Sequence, residues 1–128
     1  MNSNFKYHHL GIPTDKPVKG EVYLQEYKFY HRGFDDSEYG IEWMRYEKDC
    51  QLPEIVKTLP HIAFEVSDIQ EALKGKKVII EPNSPLSEII VAFIEENGAP
   101  IEFIQFINAN DTNAQYPVAD DFKKCISQ

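Results

Sequence analysis

The stretch Pro100-Ile-Glu-Phe-Ile-Gln-Phe106 lies over Gly40-Ile-Glu-Trp-Met-Arg-Tyr46 without a gap. Glu102 falls on Glu42, and aromatic residues match at Phe103/Trp43 and Phe106/Tyr46. Upstream, His61-Ile-Ala-Phe lies over His9-Leu-Gly-Ile, and each segment soon reaches an aspartate, Asp68 or Asp15. Each half therefore opens on a histidine segment and closes on a glutamate segment. The histidine and glutamate stand 33 residues apart in the first half and 41 in the second. Two matched pairs in one order mark an internal repeat.

Strand patterns dominate the chain around these segments. His8 to Ile12 is a short strand candidate ending at Pro13, and residues 13 to 20 carry Pro13, Pro17 and Gly20, which disfavour a long helix. Aromatic-rich Tyr27 to Phe34 and Ile41 to Tyr46 read as an antiparallel hairpin turning at Asp35, Asp36 and Ser37. Residues 48 to 60, with Pro53 and Pro60, read as a linker with one helical turn around Glu54 to Lys57. In the second half, His61 to Val66 is a strand. Ser67 is placed to cap a short helix with Gln70 reaching back, and Gly75 stops that helix. Lys77 to Ile80 is a strand broken off by Pro82 and Pro85. Ile89 to Glu95 and Ile101 to Ile107 form a hairpin around Asn97-Gly98. The second half thus runs β-α-β-β-β. The first repeats it with a reduced helix, which makes an α+β domain of modules 7–47 and 60–107. The polar tail 108–128 has a candidate helix near Phe122.

Composition narrows the function. In 128 residues, 13 Lys and Arg face 21 Asp and Glu, a formal charge of −8. A nucleic-acid or anionic-membrane binder needs a basic surface, and no dense basic run exists. Cys50 and Cys125 are too few for a disulfide framework, and free thiols in a reducing compartment are expected. Cys50 in a polar linker has no neighbouring base to make it a nucleophile. The N-terminus lacks a basic start followed by an apolar stretch, and the longest apolar run, Ile89 to Ile94, is too short for a bilayer. A soluble cytoplasmic protein is expected.

Alternation along a strand says where the matched residues point. His61 shares a face with Ala63 and Glu65, while Ile62, Phe64 and Val66 make an apolar face for the helix to cover. His9 sides with Gly11, away from Leu10 and Ile12. Glu102 and Glu42 lie in otherwise apolar strands, where an unpaired buried charge costs several kcal/mol. Read singly, each is an ordinary surface histidine or edge-strand glutamate. Tied by the repeat, two imidazoles and two carboxylates form an N₂O₂ set suited to Zn²⁺, Mn²⁺, Fe²⁺, Co²⁺ or Ni²⁺. His8 and His31 lack repeat partners and are read as structural or surface residues, with His8 a reserve ligand turned away from His9 by parity. Two carboxylates at one metal-free site would crowd, so removing Glu102 is expected to leave metal-free stability unchanged or higher.

The segments His9-Leu-Gly-Ile-Pro, His61-Ile-Ala-Phe-Glu-Val-Ser-Asp and Val91-Ala-Phe-Ile…Asn-Gly-Ala-Pro-Ile-Glu-Phe resemble the glyoxalase/bleomycin-resistance/extradiol-dioxygenase group, the vicinal oxygen chelate superfamily. The resemblance covers roughly residues 7 to 107. It implies a curved mixed sheet, built from two modules, cupping a divalent metal on His9, Glu42, His61 and Glu102. It also implies a homodimer and a metal-dependent lyase or isomerase acting on a small carbonyl or hydroxy-carbonyl substrate through an enediolate, with Glu102 as general base. The alternative within the group is a non-catalytic small-molecule-binding protein. Met44, Tyr46, Ile104 and Phe106 share faces with the glutamates and are candidates to line its pocket. No Arg/Lys cluster marks a glutathione or phosphonate site.

Overall fold

The computed structural model describes residues 5–107, so the tail, Cys125 and the candidate helix near Phe122 lie outside the described residues. The strands are β1 (Lys6–Pro13), β2 (Val22–Leu24), β3 (Phe29–Arg32) and β4 (Ile41–Tyr46), then β5 (His61–Glu65), β6 (Lys77–Asn83), β7 (Ile89–Glu96) and β8 (Ala99–Phe106). Helix α1 (Glu54–Thr58) joins the halves, and α2 (Ile69–Leu73) follows β5. All eight strands form one curled mixed sheet in the order β2-β3-β4-β1-β5-β8-β7-β6. From the centre outward, each half lists its first, fourth, third and second strand. The histidine strand of each half is therefore parallel to its glutamate strand, β1 to β4 and β5 to β8. Antiparallel pairing of β1 with β5 joins the halves.

Local chemistry accounts for most boundaries. Asn97 and Gly98 adopt positive φ values of 50° and 85°, the tight turn that suits the twist of β7 and β8. In β7, Ile90, Ala92 and Ile94 pack with Val66, Ile69, Leu73 and Phe103 on the α2 side of the sheet. Its alternate residues Ile89 and Val91 pack with Ala63 and Ile104 on the opposite, inner side. Burial on both faces explains why β7 reads as an unbroken apolar run.

Four expectations change. The α2 cap is Asp68, not Ser67: its carboxylate accepts from the backbone N–H groups of Gln70 and Glu71, and its backbone is extended. β6 continues through Pro82 to Asn83, because it is an edge strand with an irregular register, where a missing N–H is tolerated. The three-residue β2 was not anticipated; it is mostly exposed and too short to alternate, and it pairs with β3. Cys50, read as part of a polar linker, is buried, its thiol donating to the Tyr27 carbonyl, and burial pushes that thiol up.

The first module has no helix between β1 and β2. Its outer face is left partly bare, with Trp43 38% exposed; in the second module Phe64 and Val66 lie under α2 as expected, but Ile62 does not and is 43% exposed. The linker is used differently. Cys50, Leu52 and Val56 fold onto the inner side and pack with Tyr27, Phe29, Met44, Ile80 and Phe93.

Phe103, fully buried beneath α2, should be a principal contributor to stability. Phe103→Ala is expected to cost about 3–5 kcal/mol in urea unfolding.

Candidate metal centre

The two parallel pairings share one register. Glu42 stands opposite Gly11, and Glu102 opposite Ala63, so in each module the glutamate faces the residue two places after the histidine. Across the module junction, His9 pairs with Ala63 and Gly11 with His61. The four side chains that match in the repeat consequently meet, and all four are buried. Gly11 and Ala63 leave the room. A Cβ at Gly11 would lie 2.1 Å from Cε1 of His61.

His9 Nε2 lies 3.0 Å from Oε1 of Glu42 and 3.3 Å from Oε1 of Glu102. His61 Nε2 lies 3.1 Å from the same Glu102 oxygen. One ligand atom from each of His9, His61 and Glu102 lies within 4.8 Å of the others. Glu42 stands one step aside, between His9 and His31, with its Oε2 accepting from His31 Nδ1 at 3.0 Å. Although carboxylate oxygens crowd it, His9 Nε2 is buried without a hydrogen-bond partner. Carboxylate oxygens from two modules converging on one imidazole nitrogen call for positive charge between them. Imidazole nitrogens with carboxylate oxygens are an appropriate donor set for a borderline divalent ion. His9, His61 and Glu102 can hold such an ion, with Glu42 adjacent.

Without an ion, a proton takes the cationic role. Burial alone would lower His9, but Glu102 and Glu42 outweigh it and raise it to about 9. Burial alone would raise Glu102, but His61 and His9 hold it at about 2. Glu42 is also held low: burial opposes, and His31 and His9 prevail. The two carboxylates therefore share an imidazolium rather than crowd each other. This reverses the expectation that removing Glu102 is harmless to the metal-free protein.

Two further histidines join the site. His8 does not turn away: the β1–β5 register shifts between Tyr7 and His9, and this bulge swings consecutive side chains together. His8 Nδ1 lies 2.8 Å from His9 Nδ1, and its Nε2 lies 3.6 Å from the exposed Asp35. That contact fixes the His9 ring through the nitrogen facing away from the carboxylates. Burial and the charge on His9 lower the pKa of His8. His31 was legible in principle. The β3–β4 pairing sets Phe29 opposite Tyr46 and His31 opposite Met44, and alternation then puts His31 on the face of Glu42. The hairpin was read correctly from sequence, but its register was not.

Beside the centre opens a cavity of about 570 Å³, counting the space at its mouth. Glu42, Glu102 and His31 reach it, and most of the remaining lining is aliphatic or aromatic, including Phe29, Met44, Tyr46, Leu52 and Phe93. Met44 and Tyr46 line it as expected. Ile104 is instead core, and Phe106 is largely exposed.

No protein-family model matches the chain, and no curated protein sequence matches it. Among solved structures, the hypothetical protein BH1468 from Bacillus halodurans C-125 superposes with a TM-score of 0.65 at 18% identity. That alignment covers 86% of this chain and 100% of the other. A methylmalonyl-CoA epimerase from Mycobacterium tuberculosis superposes with a TM-score of 0.59 at 15% identity, over 80% of this chain and 89% of that one. This chain shares its fold with both structures. Among the described residues, no helix is long and apolar enough to cross a membrane.

Within this fold, Gly11 is a sensitive probe of the centre. Gly11→Ala should push the His61 ring off Glu102 and cost about 1–3 kcal/mol, read from chemical unfolding. The linked titrations predict a stability window for the metal-free protein. Glu102 contributes above its ordinary value of 4.5 and loses that contribution as pH falls toward about 2. His9 contributes below its ordinary 6.5 and loses that contribution as pH rises toward about 9. Melting temperature in chelator should therefore peak between pH 4.5 and 6.5. Glu102→Ala should lower it within that window.

Proposed function

We propose that this protein is a divalent-metal-dependent lyase or isomerase of the glyoxalase type. In this reading it moves a proton on the carbon beside a carbonyl group of a small substrate. One observation carries the reading: histidine and glutamate from matched strands of both modules converge, buried, at the edge of an apolar cavity. The structural likeness to a methylmalonyl-CoA epimerase supports isomerase chemistry on this fold.

His9, His61 and Glu102 would hold the ion, and Glu42 would complete the set. A bound divalent ion supplies Lewis acidity toward two neighbouring substrate oxygens. His9 must give up its proton to act as a ligand, and a bound ion would take over the positive charge beside Glu102. Glu102, which reaches the cavity, is then the proton carrier, its basicity raised by burial and opposed by nearby positive charge. Glu42 stays tied to His31 and is the weaker candidate for that role. The reading also includes a homodimer, for which sedimentation is the check.

A second reading, a binder without catalysis, draws on the apolar walls of the cavity. Such a protein would keep its ligand affinity in chelator, where the enzyme would lose activity.

Metal titration by calorimetry tests the proposal. Wild-type protein should take up one equivalent of Ni²⁺, Zn²⁺, Mn²⁺ or Fe²⁺. Free metal at a hundredfold Kd should stabilise it by about 2.7 kcal/mol. His61→Ala and Glu102→Ala should each abolish tight binding while still melting cooperatively. A wild type that takes up no metal and melts unchanged ends the metalloenzyme reading.

A further inference from the structure

Two phenols line the cavity, and their hydroxyls differ in what they touch. Tyr27 donates to Asn83 Oδ1 at 2.8 Å, and the Asn83 amide donates in turn to the Glu81 carbonyl at 2.9 Å. Tyr46 donates to a softer atom, Met44 Sδ, 3.6 Å away. A thioether sulfur is a weak acceptor, so this O–H gains much less than from an oxygen at about 2.7–2.8 Å. Met44 is unbranched and adaptable, and it can swing aside for a better partner.

Alternation along β4 places Glu42, Met44 and Tyr46 together on the inner side of the sheet. All three line the cavity, and Tyr46 is only partly buried. The Tyr46 hydroxyl and the Met44 thioether therefore meet on the cavity side of the strand. The carboxylates at the metal end are near enough to act on that hydroxyl. Burial first, then the charge of Glu42 and Glu102, pushes the phenol well above its ordinary 10. A phenol that already ionises only in base keeps its proton, so Tyr46 is a donor. Four residues of strand carry the chain from Glu42 to Tyr46, a rise of about 13 Å, which leaves room for an aromatic ring between the two ends.

We infer that Tyr46 donates a hydrogen bond to a second oxygen of the substrate, one several carbons beyond the oxygens held at the metal centre. The substrate is then bifunctional. A hydroxy-carbonyl head meets the ion, an apolar or aromatic body lies against Phe29, Leu52 and Phe93, and a carbonyl oxygen at the far end replaces Met44 Sδ on the hydroxyl. This rests on the reading of the cavity as the substrate site, and it makes Tyr46 a specificity-determining residue.

Matched ligands test it: 2-hydroxyacetophenone bearing a para-acetyl group, and the same compound bearing para-isopropyl, similar in shape but without the far oxygen. Calorimetric binding to wild-type protein, with Zn²⁺ and in chelator, is compared with Tyr46→Phe, which removes one oxygen and keeps the ring. The variant should lose about tenfold of the wild-type preference for acetyl over isopropyl, as one hydrogen bond allows, with metal uptake unchanged. Infrared spectroscopy of the wild type needs no variant and answers even if Tyr46→Phe does not fold. The stretch of a ¹³C-labelled para-acetyl carbonyl should drop in frequency on binding, and an undiminished frequency overturns the inference.

Metal uptake together with an equal preference in wild type and Tyr46→Phe would overturn the inference and leave the metalloenzyme reading intact. A preference lost in Tyr46→Phe, in a protein that takes up no metal, would do the reverse. A preference that disappears in chelator but survives Tyr46→Phe would assign the acetyl oxygen to the ion and overturn the inference. So would a failure of both ligands to bind at millimolar concentration.

Discussion

The structure turns on two imidazoles and two carboxylates placed side by side out of water. An unpaired buried charge costs several kcal/mol, so none of the four is tolerable alone. His9 lies between Glu42 of its own module and Glu102 of the other, and His61 bonds Glu102 as well. Because these groups sit on four different strands, their pairing is also a constraint on register. A shift of one residue in any of the four strands would turn a charged group to the opposite face and strand its partners. The site and the sheet therefore stabilise each other, and a cation at the centre would strengthen both.

Space is the second requirement. Side chains as large as histidine cannot meet over β1 and β5 unless the neighbouring positions are nearly empty. Gly11 and Ala63, each two residues after a histidine, meet that need. The small residue is part of the repeated pattern for a steric reason, independent of any backbone strain.

The modules differ in what covers them. In the second, α2 seals the outer face over Phe64, Phe103 and the even-numbered residues of β7. In the first, the proline- and glycine-bearing segment after β1 forms no helix, and Trp43 remains partly exposed. The helical turn that the first half does have, α1, lies between the modules, and Val56 and Leu52 close the inner side instead. A largely apolar cavity that Glu42, Glu102 and His31 reach is the result.

Much of this was legible in the residues themselves. The alternation around His9 and His61, the carboxylates of Glu42 and Glu102 inside apolar runs, and the Asn97-Gly98 turn are local signals. Local physics, namely strand parity, turn geometry and the cost of an unpaired charge, makes them readable. The repeat added the pairing of the two halves. What parity could not deliver was anything that depends on how strands register against one another. His8 joins His9 because a bulge in the β1–β5 ladder breaks the alternation, and His31 reaches Glu42 because β3 and β4 align Phe29 with Tyr46. The sharing of one imidazolium between two carboxylates likewise belongs to the assembled sheet, because it depends on distances between residues far apart in the chain. The sequence by itself determined which side chains the interior must accommodate. Only the tertiary structure decided which of them touch, because contact across strands is set by register and by the space a glycine leaves.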